Sequence, residues 1–120
     1  MSFAKAIRPH VTNELQLAAR AYREGRPALS FSHLERAHVL GQPSTREHVR
    51  VHCQMLAWSL RQRQPREALG QALRILGAAT KTIFGLVPVG NTGGSNISPF
   101  RPLPVPPDIE SLIERARTEG

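Results

Sequence analysis

Proline and glycine divide the first two-thirds of this chain into short segments of helical periodicity. Pro27 and Pro65 each suit the first turn of a helix, where a missing backbone N–H breaks no hydrogen bond. Gly25 and Gly41 suit the ends of the first two helices. The connections that remain are only a few residues long, so consecutive helices are expected to pack antiparallel. The sequence therefore predicts an all-α fold built from two helical hairpins.

Four helices are predicted in this part of the chain. They run from Pro9 to Gly25, from Pro27 to just before Gly41, from Ser44 as N-cap to about Arg63, and from Pro65 to about Ile83. Ser44 and Glu47 fit a capping box. The inward apolar face of the fourth helix is expected to carry Leu69, Ala72, Leu73, Leu76 and Ala79. The expected four-helix geometry is similar to that of tetratricopeptide repeats, although no second copy of a repeat motif is present.

The composition changes at Phe84, because residues 84–107 hold six prolines and four glycines. Proline and glycine at this density break a helix and limit any strand. Apolar side chains such as Phe84 and Phe100 recur through the segment, which argues against a disordered linker. We expect a single helical domain over 1–120, with a helical bundle over 1–83, an ordered Pro/Gly-rich strap over 84–106 and a C-terminal helix over 107–118. Whether the strap is a lid or only packing stays open.

The formal net charge is +7, and 14 of the 16 basic residues are arginine. These arginines are scattered and aromatic residues are few, so a stacking platform for nucleic acid is poorly supplied. No apolar run approaches the roughly 20 residues that span a bilayer. The N-terminus lacks the pattern of a secretory signal, and a single cysteine cannot form an internal disulfide. We therefore expect a cytoplasmic, bacterial protein that does not enter a membrane.

Four of the five histidines lie within 23 residues around the turn at 41–44. His48 and His52 are four residues apart, so they project about 40° apart on one helix face and are able to share an ion. Met55 continues this face and would add a soft thioether donor, which favours copper(I). The preceding helix offers Glu35 and His38, three residues apart, across the turn. The pattern predicts a metal site between the second and third helices.

Other uses of these residues stay open. The spacing of Glu35 and His38 is that of carboxylate-bridged di-iron bundles, to which Glu14 would add a carboxylate, but no second such motif is present. A buried hydrogen-bond network around Glu35 that fixes the helix register is as consistent with the pattern as a metal. Cys53 points away from the histidine face and is expected to be a small buried apolar side chain. Trp58 is expected in the core, and His10 and His33 on the surface.

Five motifs point to one family. They are HLERAHVLGQ over 33–42, HVRVH over 48–52, AATKT over 78–82, GLVPVGNTGG over 85–94 and SPFRP over 98–102. In these motifs the chain resembles a family of small bacterial proteins of unknown function, over nearly its whole length. The resemblance implies no activity. It implies a shared pattern at Glu35, His38, His48, His52, Met55 and Trp58, from which Cys53 departs.

The sequence thus predicts a metal-handling or metal-resistance protein, with copper or zinc favoured over iron. The predicted ligands are His48, His52, His38, Glu35 and Met55. No catalytic residue is predicted. The alternative is a non-catalytic helical interaction module that binds an acidic protein, or less readily nucleic acid, through its arginine-rich surface.

Overall fold

A computed structural model describes residues 2–81 and 105–119, and these residues form five α-helices. They are α1 (Phe3–Arg23), α2 (Pro27–Gly41), α3 (Thr45–Arg61), α4 (Pro65–Lys81) and α5 (Pro107–Glu119). No strand occurs in these two ranges, which confirms the all-α prediction. Of the predicted strap, only the last two residues fall within the described part of the chain.

The predicted starts of three helices are confirmed. Helices α2, α4 and α5 begin at Pro27, Pro65 and Pro107. Ser44 is the N-cap of α3, and its Oγ accepts a hydrogen bond from the Glu47 backbone N–H at 3.5 Å. Only this half of the expected capping box is seen, because the Ser44 N–H donates to the Gly41 carbonyl and the Glu47 carboxylate accepts from Arg50.

The predicted start of the first helix at Pro9 is wrong. Helix α1 begins at Phe3, and Ser2 caps it by accepting from the Lys5 N–H at 3.3 Å. Pro9 therefore lies inside the helix, where it cannot donate to the preceding turn, at a typical cost of about 3 kcal/mol. Burial of Ala6 and Ile7 in the hydrophobic core offsets this cost.

Packing follows the order of the chain. Helix α1 packs against α2, α2 against α3 and α3 against α4, while α5 lies against α1 and α2. The core is apolar and draws on α1, α2, α3 and α5, with Ile7, Leu40, Val51, Met55 and Ile109 among its fully buried side chains. The antiparallel, tetratricopeptide-like course of the hairpins stays a prediction. Within the described ranges, no helix has the length and apolar character that crossing a bilayer requires.

The predicted inward face of α4 is wrong. Leu69 and Leu73 are 63% and 61% exposed, and Ala72 is also exposed. Ala68 and Gln71 are buried in their place. The side chains of Leu76 and Ala79 lie outside the described part of the structure. The helix is turned so that a polar amide, rather than two leucines, faces α3.

A polar network joins α1, α2 and α5. The Glu14 carboxylate contacts His33 Nδ1 at 2.8 Å and accepts from Arg36 Nε at 3.0 Å. Arg36 also pairs with Asp108 in the first turn of α5. The prediction that His33 is a simple surface residue is therefore wrong, since its half-buried ring contacts a buried carboxylate.

Gly41 allows the end of α2 to approach the start of α3. A Cβ added at Gly41 would lie 3.0 Å from the Cβ of Glu47 and 3.3 Å from its carbonyl carbon. The first of these distances is well below an ordinary van der Waals contact, and the second atom belongs to the backbone. A Cβ at this position would therefore require Glu47 and its backbone to move away by a few tenths of an ångström.

The variant Gly41→Ala tests this close approach. We expect a loss of about 1–3 kcal/mol in the free energy of unfolding, as for other overpacked sites. We also expect shifted ring resonances for the histidines of α2 and α3. Urea unfolding and NMR measure the two effects.

The matched control is Gly25→Ala. Gly25 has a φ of +75° and nothing within 4 Å of an added Cβ, so this variant adds backbone strain alone. It is expected to lose about 1–2 kcal/mol, the usual cost of left-handed backbone, without moving the histidine resonances. Unchanged resonances in Gly41→Ala would contradict the role given to this glycine.

Candidate metal centre

Three histidines converge in the interior between α2 and α3. His38 lies in the last turn of α2, and His48 and His52 lie one turn apart on α3. Their Nε2 atoms are 2.8 Å apart for His38 and His48, and 3.1 Å apart for each of the other two pairs. The three side chains are only 1–2% exposed. We call His38, His48 and His52 the histidine triad.

The local sequence explains this convergence. The four-residue spacing places His48 and His52 on one face of α3. His38 precedes Gly41 by three residues, and the close contact at Gly41 brings its ring onto that face. The rings meet edge to face or tilted, with centroids 4.6–4.7 Å apart. Among the described residues, the triad is the group of His, Cys, Asp and Glu side chains whose ligand atoms lie close enough together to hold a metal ion.

Three mutual contacts between these nitrogens cannot all be hydrogen bonds. An N–H···N bond requires one nitrogen that carries hydrogen and one that presents a lone pair. Among three nitrogens at least two must be in the same state, so at most two of the three contacts are hydrogen bonds. The remaining pair holds two hydrogens or two lone pairs about 3 Å apart in a buried site. A cation that accepts three lone pairs removes this conflict.

The state of His52 follows from its neighbour on α4. His52 Nδ1 lies 2.6 Å from Gln71 Oε1, and Gln71 Nε2 donates to Glu67 Oε1 at 3.2 Å. The second bond orients the amide so that its oxygen faces the ring. An amide oxygen only accepts, so His52 Nδ1 carries the hydrogen and a neutral ring presents its lone pair at Nε2. That is the form in which imidazole binds a metal through Nε2.

Burial keeps His48 and His52 uncharged. Burial, with added effects from the charges of His52 and Arg74, lowers the pKa of His48 from 6.5 to about 3. Burial also lowers the pKa of His52 to about 4, although the bond to Gln71 opposes this shift and Arg74 adds to it. Both rings are therefore neutral near pH 7, so neither has to lose a proton before it binds a metal.

Two predicted ligands lie outside the triad. Glu35 is half-buried on α2 and does not belong to the group of side chains that are close enough to share an ion. Met55 lies one turn beyond His52, fully buried in the hydrophobic core. The Glu14 carboxylate, considered as a di-iron ligand, instead binds His33 and Arg36.

The predictions for the positions of Cys53 and Trp58 have different outcomes. The expectation of a buried Cys53 is wrong, because this thiol is exposed on the side of α3 away from the triad. The core position of Trp58 is confirmed in part, because this side chain is partly buried and packs against the hydrophobic core. Its ring lies 4.6 Å from that of Phe31, and its Nε1 donates to the Pro27 carbonyl at 3.1 Å.

Sequence reasoning missed Gln71. A glutamine between leucines is usually assigned to the solvent face of an amphipathic helix. The one available signal is its register, since Gln71 follows the small residue Ala68 by three positions and Glu67 by four.

The lowered pKa values predict how the stability of the metal-free protein depends on pH. Between about pH 6.5 and pH 4 the unfolded chain binds protons that the folded chain does not. The free energy of unfolding should therefore decrease as the pH falls through this range, by about 2 kcal/mol for each ring at pH 5. Urea unfolding in the presence of a chelator measures the slope.

The matched control is the double variant His48→Gln/His52→Gln, which should lose most of this slope. Ring resonances of His48 and His52 that titrate near the ordinary histidine pKa would show that burial does not hold these two rings neutral.

Comparison with known proteins adds a family but no activity. A family model described as a protein of unknown function (DUF3703) matches residues 5–113. Comparisons with curated proteins and with solved structures gave no match.

Proposed function

Because this chain belongs to the DUF3703 family of proteins of unknown function, we propose its function from the histidine triad itself. The protein binds one transition-metal ion through the Nε2 atoms of His38, His48 and His52. The observation that carries this proposal is the buried triangle of nitrogens, 2.8–3.1 Å apart, in which at most two of the three contacts are hydrogen bonds. An ion that uses all three lone pairs satisfies every contact.

The size of the triangle suits such an ion. Tetrahedral zinc with bonds to nitrogen of about 2.1 Å places its ligand atoms about 3.4 Å apart. The rings therefore need to move apart by only a few tenths of an ångström from the spacing they already have. Rings on two helices reach this spacing through small side-chain rotations, so the site is largely preformed.

The donor set favours a borderline ion. Three imidazoles with no carboxylate or thiolate among them suit zinc or copper better than a hard ion such as magnesium. Met55 stays a proposed ligand, whose soft thioether would favour copper(I). Glu35 stays a proposed ligand with a hard carboxylate oxygen. The variants Met55→Leu and Glu35→Gln test them separately. The relative affinity for copper(I) and zinc is expected to change in Met55→Leu only if the thioether is a ligand.

We propose that the role of this site is handling of the ion. Three imidazole ligands leave a coordination position open, which in catalytic zinc sites holds water or substrate and here would let a donor or acceptor ligand exchange the ion. We place this role in metal handling or resistance in a bacterial cytoplasm.

Metal analysis of the purified protein tests the proposal. After incubation with zinc or copper(I) and removal of excess metal, we expect one ion per chain by mass spectrometry. Each of His38→Ala, His48→Ala and His52→Ala should lose it. His10→Ala, on the half-buried face of α1, is the matched control and should retain it.

Stability gives a second readout. Metal that binds only the folded chain should raise the free energy of unfolding of the wild type by about 4 kcal/mol at a thousandfold excess over Kd. It should leave the triad variants unchanged. A wild type that takes up no metal would contradict the proposal, and so would triad variants that retain bound metal. Steeply salt-dependent binding of polyanions by that metal-free protein would instead favour the interaction module.

A further inference from the structure

A chain of hydrogen bonds leads from the histidine triad to α4. His52 Nδ1 donates to Gln71 Oε1 at 2.6 Å, and Gln71 Nε2 donates to Glu67 Oε1 at 3.2 Å. We infer that Gln71, oriented by Glu67, is the positioning residue of the metal site and keeps the bound ion exchangeable. This inference rests on the proposed function and deepens it, because it names the device that sets how tightly the ion is held.

The burial pattern of α4 supports this assignment. Gln71 is fully buried, while Leu69 and Leu73 on the same helix are more than 60% exposed. Burying an amide and exposing two leucines reverses the usual preference of these side chains. It is favourable only where the buried amide makes its hydrogen bonds, and both of its polar atoms do so here. The orientation of α4 is therefore the one that places Gln71 against His52.

Gln71 determines which nitrogen of His52 faces the other two rings. With the hydrogen held on Nδ1, the lone pair lies on Nε2, inside the triad. Without the amide oxygen, the hydrogen of His52 would be free to occupy Nε2 and block coordination. Metal-binding histidines commonly donate their second N–H to an outer partner in this way, and such partners tune the affinity.

The partner here is an amide, not a carboxylate. A carboxylate bonded directly to His52 would make the imidazole a stronger donor and add negative charge beside the ion. An amide orients the ring without either effect. The carboxylate of Glu67 lies one hydrogen bond further from His52, where it also interacts with the charge of Arg74. The arrangement orients His52 firmly while leaving the ion free to exchange, as a handling protein requires.

Two variants and a control test this assignment. Gln71→Met removes the amide and keeps the volume. The exchange Glu67→Gln/Gln71→Glu keeps the chain of hydrogen bonds but moves the carboxylate next to His52. The control is Gln54→Met, on the exposed side of α3. Nitrogen NMR of the imidazoles in the metal-free protein reports the position of the hydrogen, and competition with a chromophoric chelator reports the zinc Kd.

In the metal-free wild type and in Gln54→Met, we expect the hydrogen of His52 on Nδ1. In Gln71→Met this preference should be lost. The zinc Kd should rise about 10- to 100-fold in Gln71→Met, and it should fall below the wild-type value in the exchanged pair. The assignment would be supported by a lost Nδ1 preference with weaker zinc binding in Gln71→Met, together with tighter zinc binding in the exchanged pair. If Gln71→Met fails to fold, the exchanged pair alone tests the assignment. Tighter zinc binding in that pair cannot result from a general loss of structure.

The assignment is overturned if His52 of the wild type carries its hydrogen on Nε2. It is also overturned if Gln71→Met keeps both the tautomer and the zinc Kd, or if the exchanged pair binds zinc no more tightly than the wild type. The NMR measurement needs no metal. A wild type that binds neither zinc nor copper(I), but shows an Nδ1 hydrogen that is lost in Gln71→Met, therefore refutes the proposed function while confirming that Gln71 positions His52.

Discussion

Contact between three imidazole nitrogens is the interaction on which this structure depends. Buried polar groups in folded proteins are almost always satisfied, because an unsatisfied one costs about 1–3 kcal/mol. His38, His48 and His52 are buried together so that any placement of their hydrogens leaves one contact unfavourable. Local conflicts of this kind are typical of functional sites, where stability is given up for binding. A metal ion bound by the three Nε2 atoms would resolve the conflict with the side chains already present.

The surrounding fold brings these three rings together and keeps His48 and His52 neutral. Gly41 lets the end of α2 approach α3 closely enough for His38 to reach the other two rings. Gln71 on α4 accepts a hydrogen bond from His52 Nδ1, the ring nitrogen that faces away from the triad. Burial lowers the pKa of His48 and His52 well below neutrality. Three helices thus contribute to one site, and a bound ion would join α2 directly to α3 and, through Gln71, to α4.

Features of the sequence that act locally were predictable, and those that depend on long-range packing were not. Proline and N-cap chemistry located the starts of α2 to α5, and the four-residue spacing placed His48 and His52 on one face. Periodicity failed at Pro9, because packing of the first turn of α1 outweighs the missing hydrogen bond. It failed again on α4, where apolar side chains alone suggested the wrong face. The choice of face was made by Gln71, whose partner is 19 residues away in the sequence.

X-ray absorption spectroscopy of the zinc- or copper-loaded protein tests the central claim most directly. The account predicts three nitrogen neighbours at about 2.0–2.1 Å with the outer-shell scattering of imidazole rings. A first shell of oxygen atoms without imidazole scattering, or one dominated by sulfur, would contradict it.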